Sequence, residues 1–158
     1  MRQYIFDTNI FIRSKNEMPM ELWPTFWMKF TNMVNSGQIY TRESVKDEIN
    51  KGKDELTEWL KANAPQAFYL PLDVDVIAKY QEVQNWAASK NNYTQQALST
   101  FTSVADAFLV ATAAAKNMTL VTFETSSPDS KKRVMIPDAC NALDVRYCDL
   151  NTVLREMQ

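Results

Sequence analysis

The spacing of apolar positions changes repeatedly along the 158-residue chain, and each change predicts an element. Tyr4-Ile5-Phe6 is an unbroken apolar run that meets Asp7, Thr8 and Asn9 at once, the pattern of a short buried strand ending at an acid. Ile10-Phe11-Ile12 follows, then a polar connector to Met18-Pro19. Trp23, Phe26, Trp27, Phe30, Met33 and Val34 recur at helical spacing, predicting a core-facing helix over 20–36. Pro24 suits its first turn and Gly37 its C-terminal cap. A second strand is predicted over 38–41, a helix over 42–51 ended by Gly52, and another over 54–63 stopped by Pro65.

Residues 67–70 read as an edge strand limited by Pro71. An amphipathic helix over 73–90 places Val76, Ile77, Tyr80, Val83, Trp86 and Ala87 on one face. A helical stretch follows over 93–116, with a possible break at 100–102. The clearest strand after the first lies over 118–123. A loop then leads through 124–132 to Val134-Met135-Ile136, a short helix over 137–143, a last strand over 145–148 and a closing helical turn over 152–157. Strands alternating with helices predict a three-layer α/β/α sandwich around a mostly parallel central sheet. The length suits one domain.

Composition removes whole classes of chemistry. There is no His, which excludes Ser-His-Asp and Cys-His catalysis and histidine-rich zinc sites. Two Gly are too few for G-x-G-x-x-G or a P-loop. A metal here would sit on oxygen ligands, pointing to Mg²⁺ or Mn²⁺. A net charge of −2 leaves nucleic acid only a local patch. Cys140 and Cys148 lack C-x-x-C spacing; reduced thiols are the default expectation and one disulfide the alternative. Neither a signal peptide nor a bilayer-length apolar run is evident, so a cytoplasmic chain with no membrane partner is expected.

Four acids stand out. Asp7 closes the first strand, and in an open parallel sheet ligands bind beyond the carboxyl ends of the strands; a plain turn or N-cap role is the alternative. Glu48 adjoins the Val45/Ile49 stripe of its helix, with a surface pair to Lys51 as its bland reading. Asp106 lies in a stretch, 104–115, that is small or apolar except for Asp106 and Thr112. A carboxylate there needs a cation or donors, although a capping box with Ser103 would also use it. Glu124 follows the strand 118–123, with Thr122 two positions before it. Carboxylates about 4 Å apart repel by about 4 kcal/mol at an effective dielectric near 20, a penalty that a divalent ion removes. Asp129, Asp138, Asp144 and Asp149 read as surface or capping acids, Asp138 at an early helix position.

Together, Tyr4-Ile-Phe-Asp7-Thr-Asn9, Glu48, Ser103-Val-Ala-Asp106-Ala and Leu120-Val-Thr122-Phe-Glu124 resemble the four acidic motifs of PIN-domain nucleases, in order and across almost the whole chain. The resemblance implies a Rossmann-like fold and Mg²⁺- or Mn²⁺-dependent RNA cleavage. It also implies the toxin of a bacterial toxin–antitoxin module, dimeric and silenced by a cognate antitoxin. Asp7, Glu48, Asp106 and Glu124 would then be the catalytic acids and metal ligands, with Thr8, Asn9, Ser103 and Thr122 in support. Glu124 departs from the pattern, which usually has Asp. The segment 73–102 exceeds what a compact member needs and reads as a partner-binding or substrate-shaping insertion. Arg13, Lys15 and Lys51, with Lys46 and the run Lys131-Lys132-Arg133, are candidate phosphate contacts against a plain surface role. Two rivals are a haloacid-dehalogenase-like phosphohydrolase with Asp7 as nucleophile, and a non-catalytic partner-binding module. The first needs an Asp two residues on, where Asn9 stands.

Overall fold

The computed structural model describes residues 2–103 and 105–157, the side chains of Ser103 and Ala105 excepted. Its centre is β1 (Tyr4–Phe6), three residues with essentially no exposure. On one side β1 pairs with β2 (Ile39–Arg42) and β2 with β3 (Tyr69–Leu70). On the other it pairs with β4 (Thr119–Val121) and β4 with β5 (Tyr147–Cys148). Every pairing is parallel and the order is β3-β2-β1-β4-β5. The chain moves outward from β1 to β2 and β3, then returns to β4 on the other flank. The topological switch therefore falls between β1 and β4, where open parallel sheets bind ligands.

Alternation along the strands divides the apolar residues between two helical layers. Tyr4, Phe6 and Val121 join a core with α1 (Thr8–Glu17), α2 (Pro24–Asn35), α3 (Glu43–Gly52) and α4 (Glu55–Asn63). Ile5 and Leu120 face α5 (Val74–Ser89), α6 (Gln95–Ser103), α7 (Ala105–Lys116) and α8 (Ile136–Ala142). The closing helix α9 (Leu150–Glu156) buries Leu150 and Val153 in the first core. Aromatics fill that core: Phe11 and Phe30 stack at 5.7 Å, and Trp27 meets Trp59 edge-on at 5.0 Å. The indole N–H groups donate to Met18 O at 2.6 Å and Thr31 Oγ1 at 2.9 Å, so burying them strands no donor.

The expected sandwich and parallel sheet are thus observed, with local corrections. The stretch after Asp7, read as an apolar triplet and connector, is α1. Asp7 caps it, and its Ile10, Phe11 and Ser14 lie on the buried face. The second helix starts at Pro24 rather than 20, leaving Trp23 half exposed instead of in the core. Ile77 is likewise 48% exposed. The left-handed turn ending α3 is taken by Lys53, φ 46°, with Gly52 still helical. The short helix expected from Pro137 starts one residue earlier, at Ile136. Among the described residues, no single helix is long and apolar enough to cross a membrane.

Candidate functional site

Asp7 leaves the C-terminal end of β1 at the switch point, and its own N–H donates to Val121 O of β4 at 3.0 Å. Its carboxylate is 2% exposed. Oδ1 accepts the Asn9 N–H at 3.4 Å, and Oδ2 accepts the Thr122 hydroxyl at 3.1 Å. The same Thr122 oxygen accepts the Glu124 N–H at 3.1 Å, so one buried hydroxyl ties the acid of β1 to the chain leaving β4. Beneath it the Thr41 hydroxyl donates to Phe6 O at 2.9 Å, holding β2 against the end of β1.

Asp106 sits in the first turn of α7, where the helix dipole favours a negative charge. Its carboxyl is nevertheless pushed up to about 7, first by burial and then by the charges of Asp7 and Glu124. Arg133 opposes the rise, and Glu48 adds slightly to it. Asp7 is pushed up to about 6, first by burial and then by Glu124, against the Asn9 N–H, the Thr122 hydroxyl and Arg133. Asp7 and Asp106 therefore titrate as a coupled pair, both held above the ordinary carboxylate range by burial and by neighbouring negative charge. Two acids from distant parts of the chain are thus brought close enough for the charge of Asp7 to act on Asp106.

Glu124 is engaged at both oxygens. Oε1 accepts the Ile136 N–H at 3.0 Å, at the first turn of α8, and Oε2 meets Arg133 Nη2 at 2.9 Å. This carboxylate anchors a helix N-terminus and an arginine rather than standing open. Glu48 lies exposed on α3, felt weakly by Asp106. Among the described residues, no group of three or more Asp, Glu or Cys side chains is arranged to hold a metal ion. Thr8 is buried at the start of α1, and the Ser103 side chain lies outside the described residues. Of the basic candidates, Lys15 pairs at 2.5 Å with Asp54, the cap of α4, and the exposed Lys46 and Lys51 lie along α3.

A cleft of about 300 Å³ opens beside Asp7, lined in part by Asn9, Arg13, Phe123, Glu124 and Arg133. Cavities of about 630 and 640 Å³ elsewhere contain none of the four acids. Within the cleft, the Arg13 guanidinium lies 4.6 Å from the Phe123 ring centroid. Phe123 was passed over in the sequence; its place between Thr122 and Glu124 was the available signal. Asp138 needs correction as well. It is 5% exposed, accepting the Ser126 hydroxyl at 2.5 Å and the Ser127 N–H at 2.9 Å, so it fixes the loop after Glu124. Asp149 does cap α9.

The family model described as Domain of unknown function (DUF4411) matches residues 4–158. No curated protein matches the chain. Among solved structures, VapBC2 from Rickettsia felis, bound to a DNA fragment from their promoter, aligns with a TM-score of 0.55 at 15% identity, covering 92% of this chain and 97% of that one. FitAcB from Neisseria gonorrhoeae aligns with a TM-score of 0.52 at 17% identity, covering 92% and 96%. At such identities the likeness carries the fold, which is α/β and PIN-like.

Proposed function

The chain belongs to the family described as Domain of unknown function (DUF4411), and from its PIN-like fold and its paired acids we propose that it is a metal-dependent endoribonuclease. The observation behind this reading is the electrostatic coupling of Asp7 and Asp106 at the switch point of the sheet. Folding has placed two acids where each resists ionisation, which costs stability unless a cation repays it in function. Oxygen donors suit Mg²⁺ or Mn²⁺. Mg²⁺ is commonly held by one or two carboxylates and otherwise by water, so the Asp7–Asp106 pair suits it.

In this reading Asp7 and Asp106 would hold the ion, with Glu48, whose charge Asp106 feels, as the further acid of the site. A bound divalent ion would supply charge to the phosphoryl oxygens and make a coordinated water more acidic. The Asn9 N–H and the Thr122 hydroxyl keep the Asp7 carboxylate in one orientation, each leaving lone pairs for a further partner. Glu124, occupied by Arg133 and Ile136 N–H, acts as an auxiliary group that adds negative field and holds α8 in place.

The test is cleavage of RNA in Mg²⁺ or Mn²⁺ by wild type, Asp7→Asn and Asp106→Asn, with Mn²⁺ binding followed by calorimetry. Both substitutions should abolish cleavage, weaken Mn²⁺ binding at least tenfold and leave the fold intact. Undiminished cleavage by either folded variant defeats the assignment. We further propose that the chain is the cytoplasmic toxin of a toxin–antitoxin module, a homodimer silenced by its antitoxin; the PIN resemblance and the fold likeness to VapBC2 and FitAcB support this. Its test is whether expression arrests growth and whether Asp7→Asn relieves the arrest.

A further inference from the structure

We propose that the cleft beside Asp7 is a subsite for one nucleotide of a single-stranded substrate, with Arg13 and Phe123 as its base platform and Arg133 as its phosphate anchor. The proposal rests on the nuclease reading above, and its experiment separates the two. Helix α1 supplies one wall. Asn9, Arg13 and Asn16 follow at i, i+4 and i+7, so they share a face that extends about 10 Å along the helix. None is needed for the core: all three are exposed.

Arg13 is held from two sides. Its Nε donates to Glu17 Oε1 at 2.7 Å, and its guanidinium carbon lies 4.6 Å from the Phe123 ring centroid. A long side chain fixed in this way offers a flat, cationic surface at little further entropic cost, and nucleobases stack on both guanidinium planes and aromatic rings. The amides of Asn9 and Asn16 flank it as donors and acceptors for a base edge. Arg133 lines the same cleft. One of its nitrogens is committed to Glu124, its side chain is half exposed, and a guanidinium carries five N–H groups, so donors remain for a phosphate. The cleft, about 300 Å³, is at the lower end of ligand-sized cavities, which suits one nucleotide and not a duplex. Without the two arginines the cleft would present Asp7, Glu17 and Glu124 to a polyanion.

The test measures binding apart from catalysis. Wild type, Phe123→Leu and Arg133→Gln are titrated in EDTA at low salt with adenosine 5′-monophosphate, adenosine and inorganic phosphate, followed by amide NMR shifts. Leu keeps the apolar packing at 123 but removes the aromatic face. Wild type should bind the monophosphate about tenfold tighter than phosphate. Phe123→Leu should erase that margin and weaken adenosine similarly, whereas Arg133→Gln should weaken monophosphate and phosphate alike and spare adenosine. The subsite is overturned if wild type does not distinguish monophosphate from phosphate, or if Phe123→Leu keeps the margin. RNA cleavage by wild type is scored separately. Cleavage without the margin sinks the subsite and leaves the nuclease reading, and the margin without cleavage does the reverse.

Discussion

Replacing Asp106 by Asn should stabilise the metal-free protein, by an amount that grows as pH rises from about 4 to about 7 and then levels off. The folded carboxyl sits at about 7 against an ordinary 3.8, raised by burial and by the charges of Asp7 and Glu124. Between those values the native state binds a proton that the unfolded chain has lost, so stability falls as pH rises through the window, and the full penalty is present above about pH 7. At 1.36 kcal/mol per pH unit the shift is worth about 4 kcal/mol, which water reaching the partly exposed side chain trims to about 2–4 kcal/mol. For a chain of this length that is a rise in Tm of about 5–15 °C. At pH 4 Asp106 is protonated when folded and nearly half protonated when unfolded, so the advantage should shrink below about 1 kcal/mol. Urea unfolding of both proteins at pH 4, 6 and 8 in EDTA measures it. An Asn variant no more stable than wild type at pH 8, or equally advantaged at every pH, would refute the electrostatic account; the latter would indicate packing alone.

Glu124→Gln should lower RNA cleavage by no more than about tenfold, because its amide oxygen can still accept the Ile136 N–H while the Arg133 pair is lost. A titration of the Asp106 carboxyl by NMR should show its value falling in that variant, since Glu124 is among its causes. Phe30→Ala removes the ring shared by Phe6, Phe11, Trp27 and Trp59 and should cost about 3–5 kcal/mol by urea unfolding. Lys53→Gly should instead gain about 0.5–1 kcal/mol, because Lys53 holds a left-handed φ of 46° that glycine adopts without strain.

How far the elements could be read in advance depended on where their signal was stored. Tyr4-Ile5-Phe6 and Leu120-Val121 are buried on both faces, so an unbroken apolar run is all that a central parallel strand can look like. The edge strands are two residues long, and their signal spread over neighbours that the sheet leaves out. Helix α1 escaped notice for a different reason. Its first residue follows the strand-ending acid directly, and that acid is itself the N-cap, so strand and helix share one punctuation mark. Trp23 illustrates the limit of periodicity: it fits the apolar stripe of α2, but it precedes Pro24, whose ring disfavours helical backbone there, and it stands outside the helix at φ −127°, ψ 57°.

The site divides along the same line. That Asp7 and Asp106 are largely buried, electrostatically coupled acids was legible because each breaks a local rule, an acid ending a buried strand and an acid in an almost wholly apolar helix. Glu124 was legible as an acid but not as a bound one. The groups that occupy it, Arg133 and the Ile136 N–H, lie nine and twelve residues on, across a loop with no periodicity to place them. Asp138 was hidden by the same loop: an acid in a helix's first turn satisfies the dipole whether it faces solvent or, as here, holds Ser126 and Ser127 from inside. Arg13 and Phe123 are 110 positions apart, and each alone has an ordinary explanation, a surface cation paired with Glu17 and a strand-end aromatic. Only the parallel pairing of β1 with β4 carries α1 and residue 123 to the same edge. What the local code marks is therefore the acids, and what the topology adds is the cations and the ring that line the cleft beside them.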